Sequence, residues 1–218
     1  MNVVRAKHAG ACYGVQRALD MAYAAILDGE DTHTLGPLIH NPKVVSELEA
    51  RGVRVAQRVE DVDAGAVVVR SHGVTPEVRR ALDARGLAVI DATCPNVCRI
   101  QKLVAQSEQE GRRAVIIGEP HHPEVMGLAS WCAQPLVFSG PEDVRAWLAE
   151  AESNRDIPLT VVAQTTCIRE LFETSWEIIK KECTNVKIFD TICDATHKRQ
   201  SEAAEIAGKV DVMVVVGD

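Results

Sequence analysis

Apolar runs of strand length alternate with helical patterns along the whole chain of 218 residues. Ala66–Val69, Ala88–Asp91, Ala114–Ile117, Leu159–Val162, Val186–Phe189 and Val212–Val216 read as strands. Amphipathic stretches lie between them, such as Val44-Val45 with Leu48, and Val78 with Ala81-Leu82. A chain with this order can bury all of its apolar faces only as an α/β fold, with helices covering mostly parallel sheets. Few residues are aromatic (4%), so the cores must be built from Val, Ile, Leu and Ala.

Three cysteines stand at junctions of this pattern. Cys12 follows the apolar segment Val3–Ala6 and opens a helical stretch from Tyr13. Cys94 follows Ala88–Asp91 and precedes Pro95, and Cys193 follows Val186–Phe189 and precedes Asp194. In α/β folds the crevice at the carboxyl ends of strands binds ligands. Three strand ends carrying one thiol each can therefore meet at one centre and leave a fourth coordination position open, which suits catalysis better than a closed structural site. Spacing alone fits zinc and an iron–sulfur cluster equally. Cys98, four residues after Cys94, can share a helix face with it, a setting open to a metal role but better suited to a small buried thiol; Cys132, Cys167 and Cys183 have no repeated context and read as packing or surface thiols.

The composition narrows the classes further. A net charge of −7 argues against a nucleic-acid binder that works through a basic surface. No apolar run reaches the length of a membrane span, and no signal peptide is recognisable, so a cytoplasmic enzyme is expected. Seven cysteines, an odd number, fit free or metal-bound thiols in a reducing compartment better than a disulfide framework.

A weak repeat runs through the histidines. His40-Asn41-Pro42 follows Leu35-Gly36, His121-His122-Pro123 follows Ile117-Gly118, and Ser71-His72 leads to Thr75-Pro76. Proline suits the first helical position, and Asn41 and Thr75 suit the cap before it. A helix start offers unpaired N–H groups and positive dipole charge, so His40, His72 and His122 beside three such starts point to an anionic ligand. Glu124, two residues after His122, is a candidate proton donor, and Thr165 and Thr166 lie in another strand-end loop.

These segments together resemble the 4-hydroxy-3-methylbut-2-enyl diphosphate reductase family. The resemblance rests on Ala9–Val15, Leu35–Pro42, Val69–Val74, Asp91–Pro95, His122–Val125, Gln164–Thr166 and Thr191–Thr196, in the family's order. It implies three pseudo-symmetric lobes around a central [4Fe–4S] cluster, with Cys12, Cys94 and Cys193 as its ligands and one iron open. It also implies reductive loss of the allylic hydroxyl from (E)-4-hydroxy-3-methylbut-2-enyl diphosphate, giving isopentenyl and dimethylallyl diphosphate in the last step of the methylerythritol phosphate route. The resemblance makes Glu124 the proton-relay carboxylate, Thr165 its support, and His40, His72 and His122 the groups around the diphosphate. Ferredoxin or flavodoxin would supply the electrons.

The expected lobes run over 1–94, 95–193 and 194–218, the third being incomplete because the family continues past Asp218 into a diphosphate-gripping Ser-Ser-Asn segment. Ala11 replaces an aromatic common before the first cysteine. Alternative readings are a non-catalytic remnant that binds a cluster or diphosphate, a three-lobed cluster enzyme of the quinolinate synthase type, and a zinc-stabilised binding module.

Overall fold

The computed structural model describes residues 2–29 and 31–216. Two compact bodies emerge, one formed by Met1–Pro95 with Ser201–Asp218 and the other by Asn96–Gln200.

In the first body, strands β1 (Thr32–Leu35), β2 (Arg54–Ala56), β3 (Ala66–Val69) and β4 (Ala88–Asp91) form one sheet in the order β2-β1-β3-β4. All three pairings are parallel. Helices α1 (Tyr13–Leu27), α2 (Pro42–Ala50) and α3 (Pro76–Ala84) belong to this body. Side chains alternate across a strand, and β3 shows how that builds two cores. Val68 packs with Ala18 and Ala22 of α1 and Leu48 of α2. Val67 and Val69 point the other way, toward Leu82 of α3 and Val59 and Val62. A strand covered on both faces must be apolar throughout, which is why Ala66–Val69 reads as an unbroken run.

The second body repeats the plan. Strands β5 (Arg113–Ile117), β6 (Leu136–Phe138), β7 (Leu159–Ala163) and β8 (Val186–Ile188) pair in parallel in the order β6-β5-β7-β8. Helix α4 (Pro95–Gln109) begins at its boundary, α5 (Pro123–Ala129), α6 (Pro141–Glu150) and α7 (Arg169–Glu182) lie within it, and α8 (Asp194–Ala207) leads out of it. Its core gathers Val115, Ile117, Phe138, Val144, Trp147, Val161, Phe172 and Ile179. Arg112 pins the lower end of this sheet, donating to the Leu159 carbonyl at 2.7 Å and to Asn185 Oδ1 at 2.8 Å.

In each sheet the chain reverses its direction of progress between the first and third strands, β1 and β3 in one body, β5 and β7 in the other. That reversal opens a crevice at the carboxyl ends of the two central strands, where the following loops turn opposite ways. The repeated histidine segments follow these strands: His40 after β1, His72 after β3, His122 after β5.

Two expected strands do not form. Val3–Ala6 before Cys12 and Val212–Val216 near the end both lack strand pairing. β-branched residues favour strands only where a neighbouring strand completes the ladder, and neither segment has one among the described residues. Val3, Val214 and Val216 are 81%, 79% and 92% exposed. Residues 201–216, assigned by sequence to the start of a third lobe, group with the first body. There Glu202 accepts hydrogen bonds from the backbone N–H groups of Lys7 and His8 at 2.7 and 2.8 Å. No described helix is long and apolar enough to cross a membrane.

Candidate functional site

In the first body, Cys12 is the cap residue of α1, with extended backbone and no side-chain capping bond. Its sulfur is therefore not spent on the helix start. Cys94 follows β4, donates its N–H to the Ser71 carbonyl at 2.9 Å, and precedes the first residue of α4. The two thiols converge over Gly14. A Cβ placed on Gly14 would lie 2.7 Å from Cys94 Sγ and 4.0 Å from Cys12 Sγ. Gly14 is buried in the first turn of α1, where alanine would form the better helix, so its lack of a side chain is explained by the space the thiols occupy. Arg17, one turn further along α1, donates to the carbonyls of Thr93 at 3.2 Å and Asp91 at 3.4 Å, fixing the Cys94 loop to the helix.

The histidine loops of the same body come together at its crevice. The His40 and His72 rings lie 4.8 Å apart between centroids. Asn41 caps α2 by accepting from the N–H groups of Lys43 and Val44 at 3.1 and 3.3 Å, and Thr75 caps α3 from Val78 at 3.3 Å. Both helices start on proline, as the sequence predicts.

The second body holds a continuous hydrogen-bonded strand of groups at its own crevice. Glu124 is 2% exposed. Thr165 donates twice to its carboxylate, from the backbone N–H at 2.7 Å and from Oγ1 at 2.6 Å. Burial pushes this carboxyl above the ordinary glutamate range, and the two Thr165 bonds pull against that shift. The Thr165 carbonyl in turn accepts the Cys193 N–H at 2.9 Å. Asn96 Nδ2 approaches Cys193 Sγ at 3.3 Å, a donor directed at the third candidate thiol. His122 caps α5 through Nδ1, which accepts the Glu124 N–H at 3.1 Å. An acceptor at Nδ1 leaves the neutral ring's proton on Nε2, making that atom a donor.

Of the remaining thiols, Cys98 and Cys132 are partly buried, so the fully buried position expected for Cys98 is not found. Cys167 and Cys183 are 7% exposed and packed in the second core. Gln164, Thr166 and Thr191 support the crevice. Thr166 Oγ1 accepts from Gln164 Nε2 at 2.9 Å, and Thr191 Oγ1 bonds both the N–H and the carbonyl of Ala163, at 2.8 and 2.7 Å.

The first body thus gathers two thiols and two imidazoles, and the second a carboxylate, a thiol and an imidazole. The whole described pattern matches one family model. Residues 3–218 fit the model described as LytB protein. The chain belongs to the LytB family. Among curated LytB relatives, it is 40% identical over 219 residues to the 4-hydroxy-3-methylbut-2-enyl diphosphate reductase of Alkaliphilus oremlandii, covering all of this chain and 77% of the relative. It is 42% identical over 218 residues to that of Syntrophotalea carbinolica, covering 76% of that protein. Its fold is similar to a solved (E)-4-hydroxy-3-methyl-but-2-enyl diphosphate reductase, with TM-score 0.80 and 38% identity over 99% of this chain and 76% of the other. A second LytB-like structure is the E-1-hydroxy-2-methyl-but-2-enyl-4-diphosphate reductase from Plasmodium falciparum. It has TM-score 0.84 and 25% identity over 93% of this chain and 64% of the other.

Sequence reasoning passed over three residues of this LytB site. Gly14 carried a signal, a glycine in the first turn of a helix directly after a candidate ligand. Asn96 carried a weaker one, an amide two residues after Cys94. Arg17 carried none, because only the fold brings it to the Cys94 loop.

Proposed function

We propose that this chain reduces (E)-4-hydroxy-3-methylbut-2-enyl diphosphate to isopentenyl and dimethylallyl diphosphate, the terminal reaction of the methylerythritol phosphate route. The observation that carries the reading is the buried Glu124 carboxyl, gripped through both oxygens by Thr165, whose carbonyl also holds the Cys193 backbone. Relatives about 40% identical across the entire chain carry this activity in their names.

The donor set fits a resident [4Fe–4S] cluster held by Cys12, Cys94 and Cys193: three thiols, none in a disulfide, two of them over a glycine that leaves room for them. When bound, the cluster would supply electrons and one open iron for an oxygen ligand. The reaction consumes two electrons and two protons; the C–O bond breaks, the hydroxyl leaves as water with one proton, and the second proton ends on carbon. Glu124 provides a site suited to hold such a proton, because burial favours its uncharged form. Thr165 orients it. His40 and His72 bind the diphosphate, and His122 adds the Nε2 donor. We further infer a small soluble electron carrier, ferredoxin or flavodoxin, as the donor, and a reducing cytoplasm that keeps the thiols free.

Anaerobic reconstitution tests the centre. About four irons with matching sulfide per chain are expected. Serine at Cys12, Cys94 or Cys193 should sharply lower that loading, whereas serine at Cys98 or Cys132 should not. Stoichiometric zinc without sulfide would sink the reading in favour of a zinc-stabilised module.

A further inference from the structure

The two sheets share one strand order, so β1 corresponds to β5 and β3 to β7. The β1–β3 pairing ends at Thr34 with Val68, and two residues further along Gly36 lies beside the Arg70 side chain. The β5–β7 pairing ends at Ile117 with Ala163, and the next residue, Gly118, lies beside the Gln164 side chain. Each sheet thus ends its central pair on a glycine facing a long polar side chain, at the point where the chain reverses direction.

In the second body this side chain is satisfied. Gln164 lies so close over Gly118 that a Cβ there would meet its Cβ and Oε1 at 2.7 Å. Its Oε1 accepts the Glu119 N–H at 2.9 Å, and its Nε2 donates to Thr166. The glutamine ties the two loops of the crevice together through both ends of its amide.

The matched side chain in the first body is a cation. Arg70 lies over Gly36, whose backbone φ is +69° and whose Cβ would stand 3.3 Å from Arg70 Nη1. Arg70 is half-buried, its Nε is closed off from water, and that Nε meets no acceptor. No carboxylate forms an ion pair with it among the described residues. Other arginines that approach the protein interior do have partners: Arg17 and Arg112 donate to backbone carbonyls, and Arg155 to Glu182 and the Leu148 carbonyl. A guanidinium withdrawn from water without a counter-charge is costly, so its retention calls for an anion from outside. Its planar fork of donors matches phosphate oxygens. It sits at the crevice that carries His40 and His72, four residues after Gly36 and two after Arg70 respectively.

We propose that Arg70 is a binding residue for the diphosphate, supplying a fixed positive charge to the first body's crevice where the second body has a neutral loop tie. This inference rests on the diphosphate reading of the site and adds a residue to it. It also explains the imidazoles: with the charge coming from Arg70, His40 and His72 need only donate hydrogen bonds.

Titration calorimetry of the full chain without metal, with inorganic pyrophosphate as the probe, tests it. Arg70→Gln installs the side chain of the matched position. A hydrogen bond to a charged group is worth about 1.5–3 kcal/mol, or roughly ten- to a hundred-fold in dissociation constant, and a loss of that size is expected. Arg70→Lys should fall between, keeping charge without the fork, and the exposed Arg99→Gln should match the wild type. Melting temperature should not fall in Arg70→Gln, because a half-buried charge has been removed. Unchanged pyrophosphate affinity in both Arg70→Gln and Arg70→Lys, with His40→Ala still weakening binding, would overturn the Arg70 assignment and leave the diphosphate reading standing. A drop in melting temperature with unchanged affinity would make Arg70 structural and overturn it equally. If Arg70→Gln does not fold, wild-type affinity in Arg70→Lys is the refuting result. No pyrophosphate binding by the wild-type chain would bring down the diphosphate reading itself.

Discussion

Replacing Glu124 by glutamine separates proton supply from architecture, because the local geometry accommodates both. Ionised Glu124 accepts the Thr165 N–H at 2.7 Å and the Thr165 hydroxyl at 2.6 Å. A glutamine keeps its carbonyl on the N–H and turns its amide toward Oγ1, which can accept once the hydroxyl rotates. Glu124→Gln therefore reproduces the hydrogen bonding of the protonated acid and loses only the transferable proton. Alanine instead leaves two buried donors unpaired, at a cost of about 1–3 kcal/mol each. In a chain that turns over, general acid catalysis contributes about 10²–10⁴-fold, so the glutamine variant should lose that much in kcat with little change in substrate binding.

The stability profile gives a second, independent readout. A carboxyl whose folded pKa is raised holds more protons folded than unfolded, so its contribution is fully present below the unfolded value near 4.5 and is lost as pH rises through the folded value. Wild-type stability should thus decline relative to Glu124→Gln on going from pH 4 to pH 8, which melting curves on the metal-free chain would read. Parallel profiles for the two proteins, or near-normal turnover by the glutamine variant, would refute the argument that burial holds a proton on Glu124.

Gly14→Ala should raise or preserve the melting temperature of the metal-free chain, since alanine exceeds glycine in helix propensity by about 1 kcal/mol, yet lower iron loading because its Cβ intrudes 2.7 Å from Cys94 Sγ. Equal loading would show that the two sulfurs do not need that space. Asn96→Leu removes the donor at 3.3 Å from Cys193 Sγ and should lower iron and sulfide loading on anaerobic reconstitution, which metal and sulfide analysis would read; unchanged loading would show that the contact does not matter. Val214→Lys places charge in an exposed apolar segment and should reduce concentration-dependent scattering without shifting the melting temperature.

Much of this fold could be read in the sequence because its signals are local. Cys12, Cys94 and Cys193 each precede a helix, as their neighbours indicate, and Pro42, Pro76 and Pro123 each open one. The buried strands β3, β5 and β7 declare themselves as predominantly apolar runs, broken only by Arg113 at the start of β5 and Thr160 in β7. The edge strands β2 and β6 do not, for three residues are too few to establish a period. β1 is hidden for another reason: Thr32, His33 and Thr34 are polar yet fully buried. The error at Val3–Ala6 and Val212–Val216 has the opposite cause. Their composition is right for strands, but pairing is a property of the rest of the sheet. At the site, Glu124, Thr165 and the histidines were visible through motif spacing. Gly14, Arg17, Arg70 and Asn96 act through neighbours distant in sequence or through the absence of a side chain.

The burial of Cys167 and Cys183 has a practical consequence for handling this protein. Burial pushes the Cys167 thiol up to about 11, so at pH 8 only about one molecule in a thousand carries the reactive thiolate there. Cys12, Cys94 and Cys193 are all half-exposed. Air, alkylating reagents and heavy metals will therefore reach the three junction thiols long before the two core thiols. A brief pulse of iodoacetamide followed by peptide mapping would then act as an internal gauge of sample quality. Label on the junction cysteines reports how many centres have been lost, and label on Cys167 and Cys183 reports how many chains have opened.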